Sequence, residues 1–517
     1  MFFGNAKDSV KVWFRTPMFY FCLFFMILNL FLTKQMMEEK GLGGFVWVAM
    51  VQLIIECIVI YVLSRMRKKG VRIERQFLFV AVVLGIMFIV VLPPGQSPDE
   101  AGHFMRAYGI SDGYLVADSL GDDGTVGSPI PVETDFLLSQ AGWRDEERGV
   151  YKGVRDELWR GRTGETEMRA YNTLAVYNFM CYLPQSIAII IGKAFGLSVL
   201  AMAYLAEVFN FVVWLLLMYF AIKLIPKFKT ALLFMALLPI TIQEATSLAP
   251  DAMAIGLGAF MIAYVLYLTY AKKTEIVMKE KVLLCIVALM MSLCKIVYLP
   301  MVFLYLILPK ERFGSKKKKW FFVGGIIAIS IVVNLLWLMN SFGYIMETTP
   351  GVDAAAQAGW VITHPMSYIG IMIHTVDVYS LRWIEEALGM SLGAVDFHLP
   401  MLYFVSSFVI LIVILAQRNE TLKMKKIDRC VMIGVFAAVC ILIFTSLYVQ
   451  WTAYGNDIIE GIQGRYFLPI LALLPAMICR TKGSGQRFAV SISNKTVMNY
   501  SLFSGLIACT TILIQNI

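Results

Sequence analysis

Thirteen apolar stretches divide the 517-residue chain, near 16–33, 44–63, 76–93, 198–222, 229–248, 250–271, 282–294, 297–308, 320–340, 399–416, 430–449, 464–479 and 497–516. About 20 such residues carry an α-helix across the ~30 Å hydrocarbon layer. In lipid only helices and closed barrels satisfy their own backbone. The chain therefore reads as an all-α polytopic membrane protein of about 13 transmembrane helices. With 59% hydrophobic and 16% charged residues, a water-soluble fold is excluded. The shortest stretches, at 282–294 and 297–308, suggest helices that end inside the membrane around a cavity.

The net charge of +9 comes from short basic loops between the apolar runs: Arg65 to Arg75, Lys223 to Lys229, Lys272 to Lys281, Lys310 to Lys319, Arg418 to Arg429 and Arg480 to Arg487. That pattern is the positive-inside rule rather than nucleic-acid binding, and it places these loops in the cytoplasm. The first run, Pro17 to Leu32, follows Lys7, Lys11 and Arg15 and has no small-residue cleavage site. It reads as a retained anchor with a cytoplasmic N-terminus in the cell membrane. The segment 173–195 looks long enough to cross, but a crossing there would move Lys223, Lys227 and Lys229 outside. It is therefore read as a re-entrant or juxtamembrane helix broken at Pro184. All nine cysteines lie in apolar segments, so no disulfide framework is implied.

This parity leaves two long polar loops, 94–172 and 341–398, on the outer face. The first carries 15 carboxylates against 8 Lys and Arg and contains amphipathic pieces such as "ERGVYKGVRDELWRGR". It begins "PPGQSPDEAGHFMRAYG" directly after hydrocarbon. Ser97, Pro98 and Glu100 have the form of a capping box with proline at the first helical position. On a helix starting there, Asp99, His103 and Arg106 share one face, which as plain structure is an exposed ion-pair chain. As a site, a carboxylate beside hydrocarbon gains basicity, and Arg106 would hold it ionised. Asp99 is the first candidate for a general base and Glu100 the second, with Gln96, His103 and Arg106 as binding residues.

Three further elements fall on the same side. "TSLAPDA" places Asp251 at the start of a span, which also suits a tight interhelical turn. "SLCKIVYLP" puts Lys295 between two short apolar pieces, either snorkelling or reaching a lipid phosphate. "YVQWTAYGNDIIEGIQGRYFLP" brings Gln463, Arg465 and Tyr466 to a glycine-rich border, where a guanidinium either anchors in headgroups or grips a phosphate. His364, His374, Asp377, Arg382, Glu385 and Glu386 have no metal-ligand spacing, and no cofactor is indicated, although a divalent metal remains compatible with the chemistry. Nucleotide-, dinucleotide-, zinc-protease and serine-hydrolase motifs are absent.

Together "QSPDEAGHFMRAY", "SLAPDA" and "GIQGRYFLP" resemble the bacterial multispanning family labelled domain of unknown function 2142, over roughly residues 75–480. The arrangement also resembles the C-type superfamily of glycosyltransferases, which take sugar from a polyprenyl phosphate and carry a catalytic acidic residue in the first outer loop. That loop follows the first span in the superfamily and the third here. The resemblance thus implies an N-terminal two-helix addition (1–75), a glycosyltransferase-like membrane domain (76–480) with juxtamembrane helices in its first outer loop, and a tail with a last span (481–517). It assigns the acidic motif to Asp99 and Glu100.

The implied activity is inverting transfer of a sugar from a polyprenyl-phosphate-linked donor to an envelope polysaccharide or other glycopolymer at the extracytoplasmic face, with membrane lipid as a further partner. The rivals are a transporter or flippase for a lipid-linked glycan, and a non-catalytic envelope scaffold.

Overall fold

The computed structural model describes residues 41, 43, 44, 46–48, 50–120, 125–139, 150–341, 350–417, 424–478 and 492–516. The stretch at 16–33, with its anchor reading, and the basic loop Arg480 to Arg487 lie outside the described residues. The principal helices are α1 (Val46–Lys68), α2 (Ile73–Val91), α3 (Glu100–Ser111), α4 (Val150–Leu158), α5 (Leu183–Ala194), α6 (Val199–Leu224), α7 (Lys229–Ala236), α8 (Pro239–Ala245), α9 (Asp251–Leu266), α10 (Met278–Cys294), α11 (Lys316–Ser341), α12 (Ala354–Thr363), α13 (Pro365–Leu388), α14 (Met401–Ala416), α15 (Lys426–Gln450) and α16 (Asn494–Asn516). Among the described residues seven are long and apolar enough to cross a membrane: α1, α2, α6, α9 with its continuation to Ala271, α11, α15 and α16. The protein is an all-α membrane protein in its spanning region.

Three apolar stretches read as single spans are interrupted. The run 229–248 splits into α7 and α8, because Pro239 has no N–H to donate and holds Leu238 extended (φ −62°, ψ 141°). The run 297–308 is a 3₁₀-helix, Ile296–Ile307, with Pro300 inside it. The run 464–479 becomes a 3₁₀ turn at Gly464–Phe467 followed by the short helices Leu468–Leu471 and Leu474–Ile478, with Pro469 and Pro475 near their starts. Broken backbone at membrane depth survives only where protein or an aqueous cavity satisfies it.

The turn between α8 and α9 shows how that is done. Gln185 Nε2 donates to Leu248 O (3.1 Å), and Asn210 Nδ2 donates to both Ser247 O and Ala249 O (2.8 Å each). Two neighbouring helices thus supply the donors that a continuous helix would have supplied itself. Between helices in lipid there is no hydrophobic drive, so close van der Waals approach matters more. Gly258 of α9 lies so near the Pro469 carbonyl that an added Cβ would collide with it.

Residues 173–195 do not form one long helix. They comprise short helical turns at Asn172–Ala175 and Phe179–Tyr182 and then α5, whose 12 residues at 1.5 Å each reach about 18 Å. Pro184 sits in the first turn of α5, so it starts that helix rather than breaking it.

The polar loops hold more than helices. In the first, β1 (Asp118–Ser119), β2 (Val126–Pro131) and β3 (Thr166–Ala170) form an antiparallel sheet in the order β1-β2-β3, with Gly127 opposite both Asp118 and Ala170. The amphipathic stretch there forms α4. The second contains α12 and α13 and a small hairpin of β4 (Ser391–Leu392) and β5 (Phe397–His398).

Candidate functional site

The chain leaves α2 at Val91 and turns back through Pro93 and Pro94 to reach α3. Ser97 is not the cap of α3: the helix starts at Glu100, and Asp99 is its N-cap in the left-handed region (φ 58°, ψ 13°) with no side-chain cap hydrogen bond. Half of the expected capping box survives, because Glu100 Oε2 accepts from Ser97 N at 2.9 Å. The same oxygen accepts from Gly95 N (2.8 Å), and Oε1 accepts from Leu248 N (2.8 Å). Glu100 is therefore a buried staple between the first polar loop and the α8–α9 turn. Burial pushes its carboxyl pKa above the usual range, against these three N–H donors. With both oxygens engaged and Glu207 of α6 hydrogen-bonded beside it, Glu100 is poorly placed to meet a substrate.

Asp99 differs from it. Its side chain is 68% exposed, and its Oδ2 lies 3.9 Å from Arg465 Nη2. Arg465, only 7% exposed, also points Nη1 at Glu244 Oε2 (3.5 Å) and donates from Nε to Gln463 Oε1 (2.7 Å). Lys295 meets Asp251 with both carboxylate oxygens, at 2.8 and 2.9 Å. Tyr466 joins the two cations, since its ring centre lies 5.5 Å from Lys295 Nζ and 5.4 Å from Arg465 Cζ. The ring centre of Tyr177 also lies 5.4 Å from Lys295 Nζ.

The helix breaks create this gathering. Glu244 is in the last turn of α8, Asp251 in the first of α9, Lys295 between α10 and the 3₁₀-helix, and Arg465 in the 3₁₀ turn that opens the 464–478 segment. His103 of α3 lies within the same field. Burial first, then the positive charge of Lys295, lowers its pKa to about 3, with Asp251 opposing and Arg465 adding to the effect. A neutral His103 at physiological pH pairs its Nδ1 with Tyr182 Oη at 2.8 Å.

Two cavities flank the cluster and share Thr173. One is a largely apolar cleft of about 140 Å³ with Leu293, Val297, Trp337, Leu338, Ile443 and Leu447 in its walls, which Lys295 and Tyr466 also line. The other is larger, about 560 Å³, and is bordered by Gln96, Asp99, Thr173, Asp396, Phe397 and Asn516 among others. Its volume falls in the range of small-molecule sites.

Of the residues singled out in the sequence, Asp99, His103, Asp251, Lys295, Gln463, Arg465 and Tyr466 come together. Arg106 does not, and its guanidinium donates to backbone carbonyls rather than to Asp99. It is fully buried, donates to Tyr114 O (2.9 Å) and Leu115 O (2.8 Å), and so fastens the chain leaving α3. Because α3 begins two residues later than the capping box implies, with Asp99 as a left-handed N-cap, the shared face of Asp99, His103 and Arg106 is not formed. Gln96 borders the larger cavity and exchanges hydrogen bonds with Asn516, its Oε1 accepting at 2.9 Å.

Glu244, Tyr177 and Glu207 were not anticipated as site residues. Glu244 had a signal, a carboxylate inside an apolar run, which is costly unless it has a role. It is fully buried, and its Oε1 has no hydrogen-bond partner among the described residues. Tyr177 carries no signal of that kind. In the second loop, Arg382 donates to Glu386 Oε1 (2.7 Å), and Glu386 Oε2 accepts from Gly464 N (2.7 Å), which ties α13 to the "GIQGRYF" turn. Gly464 packs against the backbone of Trp383 and Ala387 with no room for a Cβ. Among the described residues no group of His, Cys, Asp or Glu is arranged to hold a metal ion.

No curated protein and no solved structure matches the chain. A family model described as a predicted membrane protein (DUF2142) matches residues 78–474, from within α2 to the broken segment after Arg465. The match takes in the loop of Asp99, the α8–α9 turn, Lys295 and the "GIQGRYFLP" turn, and the chain belongs to this family.

Proposed function

We propose that the protein transfers a sugar, with inversion, from a polyprenyl-phosphate donor to a cell-envelope glycan or polymer at the extracytoplasmic face. The fold proposed with this is a glycosyltransferase C-type-like domain over residues 76–480 and about thirteen spans, with the N-terminus and the basic loops cytoplasmic. The observation that carries the reading is the position of Asp99, an exposed carboxylate in the wall of the larger cavity and 3.9 Å from Arg465, beside an apolar cleft that Lys295 and Tyr466 line.

In this reading the prenyl chain lies in the cleft and its phosphate approaches Lys295 and Arg465. The acceptor hydroxyl enters from the larger cavity. Asp99 takes the hydroxyl proton as the oxygen bonds to the anomeric carbon; the bond from that carbon to the phosphate oxygen breaks, and polyprenyl phosphate leaves with the electron pair. Lys295 and Arg465 stabilise the charge that develops on the leaving phosphate. Glu100 takes no direct part, because its oxygens are occupied by backbone N–H groups.

The test is transfer from radiolabelled polyprenyl-phosphate sugars to envelope polymer by the purified, reconstituted full chain. Asp99→Asn should lower turnover by about 10²–10⁴-fold, the usual contribution of a general base, and leave donor binding largely intact. Undiminished turnover in that variant refutes the role of Asp99. The three interrupted helices favour a second reading, since broken helices at the membrane midplane are frequent in transporters. A flippase would move a lipid-linked glycan between leaflets without ever modifying an acceptor.

A further inference from the structure

Of the two cations in the cluster, Arg465 has the capacity to take a further anion. Lys295 is closed onto Asp251, its Nζ reaching both carboxylate oxygens at 2.8 and 2.9 Å. Arg465 is short only to Gln463 among the described residues, from Nε to Oε1 at 2.7 Å. Its outer nitrogens stand 3.5 Å from Glu244 Oε2 and 3.9 Å from Asp99 Oδ2. Charge-assisted N–H···O contacts close to about 2.7–2.9 Å. The guanidinium also lies between the two cavities, with Asp99 in the wall of the larger and Tyr466, 5.4 Å from Cζ, in the wall of the apolar cleft.

Glu244 is the counterpart of that unused capacity. It is fully buried, its Oε1 has no partner among the described residues, and its Oε2 has Arg465. It is in the wall of neither cavity, so it acts on a ligand through Arg465. Asp99, Glu244 and Asp251 already outnumber Lys295 and Arg465. Once an anion engages the guanidinium, an ionised Glu244 keeps a buried charge whose opposing charge has been taken up elsewhere. A proton on Glu244 removes that cost.

We infer that the site binds its lipid phosphate together with one proton, and that Glu244 is the positioning residue that receives it. The proton comes from bulk water and binds Oε1; no bond to the phosphate is made or broken. Its return to water restores the Glu244 charge to Arg465 and favours release of the phosphate. The inference rests on the phosphate-binding part of the transfer reading and deepens it.

The charges that act on Glu244 are those of Arg465, Asp251, Lys295 and Glu100. The elements packed against α8 are α2, α6, α7, α9, α13, α16 and β4. Of these, α9 brings Asp251, α6 brings Glu207, which faces Glu100, and α13 brings Glu385 and Glu386 in its last turn, the second paired with Arg382. The charged groups of α2, α7 and α16 sit in their first turns, and β4 has none. His103 is neutral over the range tested below.

The experiment measures binding of radiolabelled farnesyl methyl phosphate, a phosphodiester whose single negative charge does not titrate, to the full-length protein in uncharged micelles at about pH 6 and about pH 9. Affinity should fall about tenfold or more over that interval, because binding weakens by up to about tenfold per pH unit where the complex holds one proton more than the free protein. Glu244→Gln should remove this dependence and bind the probe about tenfold more tightly than the unaltered protein at about pH 9, a gain that a misfolded variant does not produce. Equal affinity of the unaltered protein at both pH values, or a Glu244→Gln variant no tighter at the higher one, overturns the inference and leaves the transfer reading in place. Absence of binding at both pH values overturns the two together. Proton-linked binding by a protein that transfers no sugar sustains the role of Glu244 and defeats the transfer reading alone.

Discussion

The Lys295–Asp251 pair offers the sharpest test of the assembled site. The two side chains are 10% and 2% exposed and meet at 2.8 Å, so neither charge has water to fall back on. Removing one partner from a buried pair costs about 3–5 kcal/mol, because the other charge is left buried and uncompensated. Lys295→Met strands Asp251 at the first turn of α9, where the helix dipole offsets only about 0.3–1 kcal/mol. Asp251→Asn strands Lys295 with only the faces of Tyr177 and Tyr466, worth about 0.5–2 kcal/mol together with desolvation. Each single change should therefore cost about 3 kcal/mol or more. The double variant should lie within about 2 kcal/mol of the original protein, since two neutral groups need no counter-charge. The coupling energy from the cycle is then at least about 3 kcal/mol. Equilibrium unfolding in mixed micelles, followed by tryptophan fluorescence, reads all four corners. Single effects below 1 kcal/mol, or effects that simply add, would show that these charges are not joined in the folded protein.

The low pKa of His103, about 3 against an ordinary 6.5, has a definite sign. Between those values the unfolded chain binds a proton that the folded chain refuses, so stability falls as pH drops from 6.5 toward 3 and is complete above 6.5. From pH 6.5, where the unfolded imidazole is already half protonated, to pH 4.5 the loss is about 2 kcal/mol at a limiting slope of ~1.4 kcal/mol per unit, and unfolding at both pH values should show His103→Gln losing correspondingly less. Gly464→Ala forces a methyl onto the α13 backbone and should cost about 1–3 kcal/mol in the same assay. Arg106→Lys should lower stability by about 1–3 kcal/mol, through loss of the fork that grips Tyr114 O and Leu115 O, while KM for the sugar donor in the proposed transfer stays unchanged. A shift in donor KM would return Arg106 to the binding site.

The apolar runs announce themselves because burial in lipid demands them, and the charged residues at their borders stand out for the same reason. Asp99, Asp251, Lys295 and Arg465 were legible as isolated exceptions to a hydrocarbon pattern. Their pairing was not, since nothing in the sequence joins position 251 to 295 or 465 to 99. Composition also hides the breaks: 229–248 reads as one span although Pro239 divides it. The sheet of β1, β2 and β3 escaped notice because β2 has the pattern "VGSPIP", two prolines and a glycine in six residues, which local preference assigns to a turn. Arg106 misled for a simpler reason. A cation seven positions from a carboxylate suggests an ion pair only if the helix already runs at both ends, and α3 begins at Glu100.

The burial of α16 bears on the order in which this molecule is built. Gly505 receives the side chain of Leu84 from α2, Asn499 accepts from Arg67, and Asn516 closes on Gln96. Each contact joins residues more than 400 positions apart, so at translation speeds of 5–20 residues per second α2 waits on the order of 20–80 s for its neighbour. During that interval the Leu84 side chain of α2 and the amide of Gln96 lack these partners. Insertion factors or lipid must shield them, and a ribosome stalled before α16 should leave a chain that is membrane-inserted yet sensitive to protease at the Gln96 loop.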